Sequence, residues 1–367
     1  MLKKCAAIVE KLTKREIDYH FIFPRHLLLF LTYRCTSRCN TCVMWQRKTE
    51  QPELSLDDWR KFIDMAAPRG IKSVELFGGD ALIRKDVIAP LAAYIKEKGI
   101  PQVEVTTNCN LLDEEMAKSL VDAGVDVFYT SVDGVGDLHD RVRGVAGSFK
   151  NVERGIRALA KIRKNRGCPK IIANCTISKL NIDSFEKVAE FAKAAGADTV
   201  AFEYVGEFPD ASLFNSAING IDPEPYYITQ KQSLFLDHEE AILLKSKLKT
   251  IKEKYRNNGL EVITSNIDIL KISNLTQGVF ARNKCYVCRL YAIVDPFGNI
   301  IPCPFFNRYQ LGNIRQTHFD YIWNNERHTQ FIQHRDNKEA ALCNHCILNV
   351  ERNPGFFMSL RKSYLNL

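Results

Sequence analysis

Between Leu27 and about Tyr204, short apolar runs alternate with longer stretches whose apolar residues recur every three or four positions. The runs "LLLFLT" (27–32), "SVELF" (73–77), "VEVTT" (103–107), "VFYTSV" (127–132), "IIANCTI" (171–177) and "TVAFEYV" (199–205) read as strands. The amphipathic stretches near 55–68, 85–98, 113–123, 148–164 and 183–195 read as helices. Ser55, with Asp58 three residues on, resembles a capping box, and Gly70, Gly99, Gly124 and Gly196 stand just past helix ends, where a left-handed residue closes the last turn. Strands alternating with helices predict an α/β fold, a parallel sheet with helices outside, either open or curled into a full or partial barrel. In either form the loops at the C-terminal strand ends build the functional site.

Beyond residue 205 the pattern changes. Residues 206–237 are irregular but hold Phe208, Phe214, Tyr226, Tyr227 and Phe235, too many aromatics for a disordered linker, and we read them as a lid over the barrel mouth. A helix over about 238–257 carries the basic run Lys245 to Arg256 on an exposed face. Two apolar runs around Pro296 to Asn299 predict a hairpin from Leu290 to Cys303, with a helix near 317–332 after it. The first twenty residues read as a charged helix, and "HLLLFLTY" (26–33) is too short to cross a bilayer. Without a signal peptide, these features predict a cytoplasmic protein with no membrane insertion.

Composition adds little: 46% hydrophobic and 26% charged residues are ordinary for a globular chain of 367 residues. The net charge of +8 suits an anionic substrate, such as a nucleotide sugar, and no basic-aromatic stripe points to nucleic acid. Cysteine is the informative residue. Twelve of them in a reducing compartment read as metal ligands or catalytic thiols where they cluster, and the isolated Cys5, Cys109, Cys168 and Cys175 as buried small hydrophobes.

Cys35, Cys39 and Cys42 lie in one eight-residue loop after the first strand. Three thiolates can hold three corners of an iron–sulfur cubane and leave the fourth iron open, whereas a structural zinc site closes with four ligands. The C-x3-C-x2-C loop is followed by Gly78-Gly79-Asp80, Thr107-Asn108, Ser131 with Asp133, and "HDRVRG" (139–144), each near a strand end. In this order the motifs resemble the radical S-adenosylmethionine (SAM) superfamily over residues 28–205. The resemblance implies a partial (βα)6 TIM-like barrel, a SAM-binding 4Fe-4S cluster on Cys35, Cys39 and Cys42, and reductive cleavage of SAM. It implies SAM contacts from Gly78, Gly79, Asp80, Asn108, Ser131, Arg143, Asn174 and Thr176, and a flavodoxin- or ferredoxin-type electron donor. Two positions depart from the family pattern. Thr41 replaces an aromatic before the third cysteine, leaving adenine to backbone or Trp45, and Asp80 is one methylene shorter than the usual Glu.

A second set, Cys285, Cys288, Cys303, Cys343 and Cys346, straddles the predicted hairpin. Two C-x2-C knuckles would suit a zinc ribbon on a nucleic-acid binder. The C-x12-G-x4-C hairpin followed by a distant C-x2-C instead resembles the SPASM/twitch extension of radical SAM enzymes. That resemblance implies one auxiliary 4Fe-4S cluster on Cys285, Cys303, Cys343 and Cys346, with Cys288 as alternate to Cys285. The expected organisation is a helical extension (1–26), the radical SAM core (27–205), a lid and connecting helix (206–280), the small C-terminal hairpin-plus-helix cluster domain (281–350) and a tail (351–367). Since the core begins near residue 27, leaving no room for a leader-binding domain, a small-molecule substrate is expected to be oxidised, a peptide being the alternative. Glu203, Tyr204, Asp222 and Tyr226 are positional candidates for moving protons.

Overall fold

The structure is a computed structural model that describes residues 23–47, 51–163, 167–227, 232–280 and 285–348. The helical extension before residue 23, with Cys5, and the tail after 348 lie outside the described residues. The six expected strands form: β1 (His26–Thr32), β2 (Ser73–Gly78), β3 (Gln102–Thr107), β4 (Val127–Ser131), β5 (Lys170–Ile177) and β6 (Thr199–Tyr204). They run parallel in sequence order. Between them come α1 (Leu56–Ala66), α2 (Ile88–Glu97), α3 (Glu114–Asp122), α4 (Asp137–Arg143), α5 (Ser148–Arg163) and α6 (Glu186–Ala195). The Ser55/Asp58 capping box is present, and the glycines at 70, 99, 124 and 196 all have positive φ.

Two further parallel strands widen this sheet. β7 (Glu261–Ile263) adds beside β6 after the long helix α7 (His238–Tyr255). β8 (Tyr291–Val294), the first arm of the predicted hairpin, pairs in parallel with β1, with Leu27 opposite Ala292 and Leu29 opposite Val294. β9 (Asn299–Ile301) and β10 (Gly312–Asn313) continue antiparallel beyond β8. The hairpin is therefore an extension of the barrel sheet. The predicted helix near 317–332 is split into Phe319–Ile322 and α8 (Glu326–Asp336), because Asn324 takes a positive φ and the Asn325 side chain caps the second helix.

The strands sort their side chains by face. Val74, Leu76, Val103, Val105, Phe128 and Val200 are fully buried on the side covered by helices. There they meet residues such as Trp59, Phe62 and Leu91, each burial contributing ~1.5–3 kcal/mol. The alternate positions face the barrel interior and are polar, among them Glu75, Glu104, Tyr129, Ser131, Asn174 and Glu203. The apolar layer thus lies outside the sheet, and a polar cavity lies within it. Among the described residues no helix is long and apolar enough to cross a membrane.

The aromatic segment is packed rather than free-standing. Phe208, Tyr226 and Phe235 are buried, whereas Phe214 is 84% exposed, contrary to a shared role in a lid. Residues 228–231 of this segment lie outside the described residues. Cys109 and Cys175 are buried as expected, while Cys168, in the turn before β5, is exposed.

Candidate active site

The cysteine loop is held from beneath by α4. Its backbone N–H groups at Arg38 and Asn40 donate to the carbonyls of Arg143 (2.9 Å) and Val142 (2.9 Å), and the Asn40 side-chain amide donates to that of Arg141 (3.0 Å). These are the last carbonyls of α4, which have no partner inside the helix, so the loop satisfies the helix terminus and the helix fixes the loop. Gly144 closes α4 at φ 65°, and a side chain there would strike the carbonyl of Arg38. The "HDRVRG" stretch was legible as a motif but not as a helix, since seven residues are too few for a periodic signal.

The second wall is the Gly78-Gly79-Asp80 turn. A Cβ on Gly79 would run into the carbonyl oxygens of Tyr33 and Arg34, so only glycine lets the β2 end lie against the β1 end. The Cys35 thiol then reaches the Gly79 carbonyl at 3.2 Å, and the Ser37 N–H points at Cys35 Sγ at 3.3 Å. Asp80 departs from the expected ligand role. Its carboxylate accepts the hydroxyls of Thr36 (2.8 Å) and Thr107 (3.1 Å) and the N–H of Leu82 (3.3 Å), and it is buried outside the cavity lining. Its short side chain turns inward to brace the loop, and burial pushes its carboxyl above the usual range. What remains of this motif toward the cavity is the Gly78-Gly79 backbone.

Arg143 faces the loop from α4. Its Nη2 is 2.8 Å from Asp133, and its Nη1 donates to Cys39 Sγ at 3.7 Å. Asp133 in turn accepts the Thr176 N–H at 2.9 Å, which links the β4 and β5 ends. His139 accepts the Asp133 N–H at Nδ1 (3.2 Å), so that nitrogen carries no proton; its Nε2 lies 3.3 Å from the Ser148 hydroxyl. Burial and the nearby Arg143 hold His139 down at about 3, a neutral imidazole. Burial pushes the thiols of Cys35 to about 11 and Cys42 to about 12. A metal taken up here must displace their protons.

These walls enclose a cavity of about 410 Å³. Cys35, Cys39 and Cys42 open onto it together with Gly78, Gly79, Asn108, Ser131, Arg143, Asn174 and Thr176, so of the expected SAM-contacting residues Asp80 alone is absent. Trp45 lines it as well, its indole N–H on the Cys42 carbonyl at 3.1 Å. The residues fit the implied cofactors: three soft thiol donors share one open wall, and the buried side-chain oxygen of Asn174 has no hydrogen-bond partner. Among the described residues no three His, Cys, Asp or Glu side chains close on one point as they would around a single ion. A cubane spreads its ligands more widely, so donor type and access carry the fit. Of the proton-handling candidates, Glu203 and Tyr226 line the cavity. Tyr204 is turned away, its hydroxyl on the Leu275 carbonyl at 2.5 Å, and Asp222 lies outside the lining. Glu75 and Glu104 also line it and were missed. Their signal was a charged residue at alternate positions of an apolar strand, "SVELF" and "VEVTT".

The second cysteine set lies on segments that flank the hairpin, with Cys288 and Cys346 buried and Cys285, Cys303 and Cys343 partly buried. Cys285, Cys303 and Cys343 are within electrostatic reach of one another, and Cys288 hydrogen-bonds Cys285. Cys346 is buried at the end of the same segment as Cys343. The Cys288 thiol donates to the Cys285 carbonyl at 3.5 Å; its nearness to the Cys285 sulfur, with Arg335 close by, lowers the Cys285 thiol, while Cys288 is raised. Arg289 donates to Cys288 Sγ at 3.6 Å and pairs with Asp336 at 2.6 Å. Tyr226 connects the two sites: its carbonyl accepts the Val43 N–H at 2.9 Å, next to Cys42, and its ring packs on Phe305, two residues past Cys303.

Comparison with known proteins agrees with this arrangement. The family model of the radical SAM superfamily matches residues 29–192, and that of the SPASM iron–sulfur cluster-binding domain matches residues 285–347. The AdoMet-dependent heme synthase of Methanosarcina barkeri is 30% identical over 310 residues, 82% of each chain. The tungsten-containing aldehyde ferredoxin oxidoreductase cofactor-modifying protein of Pyrococcus furiosus is 24% identical over 349 residues, 88% of this chain and 87% of that one. Streptococcus suis SuiB bound to S-adenosylmethionine superposes with a TM-score of 0.64 at 17% identity, covering 96% of this chain and 79% of SuiB. The protein belongs to the radical SAM superfamily and carries a SPASM-type iron–sulfur domain.

Proposed function

We propose that this enzyme removes a hydrogen atom from a substrate carbon inside the barrel cavity, in a net oxidation of a small molecule. When bound, the open-cornered cluster and SAM together supply an electron and a 5′-deoxyadenosyl radical. The observation that carries the reading is that the three-cysteine loop and the polar cavity share one wall. Cys35, Cys39 and Cys42 would hold the cluster, and the Gly78-Gly79 backbone, Asn108, Ser131, Arg143, Asn174 and Thr176 would hold SAM. Arg143, paired with Asp133, keeps an Nε–H without a hydrogen-bond partner, and the Asn174 oxygen awaits a donor. Tyr226, Tyr227, Pro304 and Val287 line the cavity and would give the substrate an apolar wall.

Cys285, Cys303, Cys343 and Cys346 would hold one auxiliary four-iron cluster, with Cys288 as hydrogen-bond donor to Cys285. A cluster so placed behind Tyr226 suits the acceptance of the substrate electron, and a flavodoxin- or ferredoxin-type protein would supply the first one. The relatives that span more than four-fifths of the chain are named for heme synthesis and for cofactor modification, which supports a small molecule. A peptide substrate is the second reading, favoured by the PqqA peptide cyclase of Granulibacter bethesdensis, 29% identical over 47% of this chain. Anaerobic reconstitution should give about eight irons per chain, two cubanes. Addition of dithionite and SAM should release 5′-deoxyadenosine, and its absence from fully loaded protein would overturn the proposal.

A further inference from the structure

Two proline-flanked stretches meet between the cysteine sites, Pro223-Glu224-Pro225-Tyr226 and Pro302-Cys303-Pro304-Phe305. A proline fixes its own φ and restricts the residue before it, so both stretches are stiff. The Glu224 N–H donates to the Phe305 carbonyl at 2.8 Å, and the Tyr226 and Phe305 rings are centred 5.2 Å apart. The Glu224 carboxylate accepts the Asn307 side-chain amide at 2.8 Å and pairs with Arg308. One side of this strap thus grips the residues that follow Cys303.

Its other side grips the residues that follow Cys42. The Tyr226 carbonyl accepts the Val43 N–H at 2.9 Å. Arg47 donates to the Glu224 carbonyl, and its guanidinium carbon lies 4.8 Å from the centre of the Tyr33 ring and 5.6 Å from that of Tyr226. A planar cation over two aromatic rings is held by both. Tyr33 stands two residues before Cys35, so Arg47 ties the start of the cysteine loop, as well as its end, to the strap. From Cys42 to Cys303 the path runs through Val43, residues 224–226, Phe305 and Pro304. Arg47 and Glu224 both lie outside the cavity lining, so neither is placed to touch a molecule bound there.

We propose that Arg47 is a positioning residue: through residues 224–226 it seats the cysteine loop on the auxiliary hairpin, and SAM binds most tightly when the second cluster is loaded. A cluster that fixes Cys303 fixes Phe305, and the stiff strap carries that constraint to the loop that shapes the SAM site. The proposal rests on the radical SAM reading of the cavity.

Calorimetric titration of SAM into the anaerobically reconstituted enzyme tests it, with iron analysis and circular dichroism on every variant. Arg47→Met and Cys303→Ala should each weaken SAM binding about tenfold. Glu224→Ala, which cuts the Asn307 and Arg308 links and leaves the backbone bonds, should weaken it about threefold. Because these changes act on one strap, the double variant Arg47→Met/Cys303→Ala should stay about tenfold below wild type and not fall about a hundredfold. In dithionite-reduced Arg47→Met, about eight irons should remain, and the change that SAM makes to the electron paramagnetic resonance of the first cluster should need correspondingly more SAM. Glu224→Ala carries the test if Arg47→Met does not fold. Wild-type SAM affinity in Glu224→Ala or in Cys303→Ala, or losses that multiply in the double variant, would overturn the proposal. Iron-loaded wild-type enzyme that binds no SAM would sink the radical SAM reading, whereas SAM binding indifferent to the second cluster would sink this inference alone.

Discussion

The two cysteine sites use the same ligand type and differ in almost everything else. The first draws its three thiols from one loop of eight residues, opens onto the cavity and is faced by Arg143. The second gathers thiols from a short helix and the residues before it, from just past β9 and from the segment near 343–346, and has Arg289 and Arg335 beside it. Three thiols facing a cavity suit binding a further molecule, and the four proposed for the second site would suit holding charge.

The largest expected difference is in turnover. Cys39→Ala should abolish 5′-deoxyadenosine release, by about three orders of magnitude or more. Cys303→Ala should lose about four irons but keep measurable cleavage of SAM. Equal loss in both variants, read by chromatography and iron analysis, would break the comparison. Within the second site, Cys285→Ala should lose the auxiliary iron and Cys288→Ala should keep it, because Cys285 is the thiol of that pair within electrostatic reach of both Cys303 and Cys343.

Next comes Gly79→Ala. The added methyl meets two backbone carbonyls, which should cost about 1–3 kcal/mol and lower the melting temperature while weakening SAM binding. A smaller effect is electrostatic. Arg335→Met removes a buried positive charge near Cys285 and Cys343, so the auxiliary midpoint potential should fall by on the order of 100 mV, given an effective dielectric of about 20. The potential of the first cluster should stay put, and a redox titration followed by electron paramagnetic resonance resolves the two.

The last effect concerns pH and is confined to acid conditions. His139 is held at about 3 in the fold against 6.5 in the open chain, so between those values the unfolded state binds the extra proton. Its contribution is full above about 6.5 and is lost as pH falls toward 3. His139→Gln should flatten the acid limb of stability by up to about 1.4 kcal/mol per pH unit, measurable by denaturant titration.

Much of the barrel was legible because its signals are local. Apolar runs such as "LLLFLT", the Ser55 cap, the four cap glycines and the cysteine triplet are each contained within a few residues. What escaped depends on distant partners. β7 and β8 are three and four residues long, and nothing in "YAIV" says that it will pair in parallel with β1, more than 250 residues earlier. Asp80 stood in the expected motif, but the hydroxyls of Thr36 and Thr107 that turn it inward come from the cysteine loop and from the end of β3. Glu75 and Glu104 were visible as letters, while their opposition is a matter of strand register.

The bond between β8 and β1 has a mechanical consequence. A protein shortened before Tyr291 would lose more than its second cysteine site: the backbone of Leu27 to Leu29 would become a bare, apolar sheet edge, a template for intermolecular pairing. Such a truncation should precipitate instead of yielding a soluble half-enzyme, and a hinge between barrel and hairpin would have to unzip that seam.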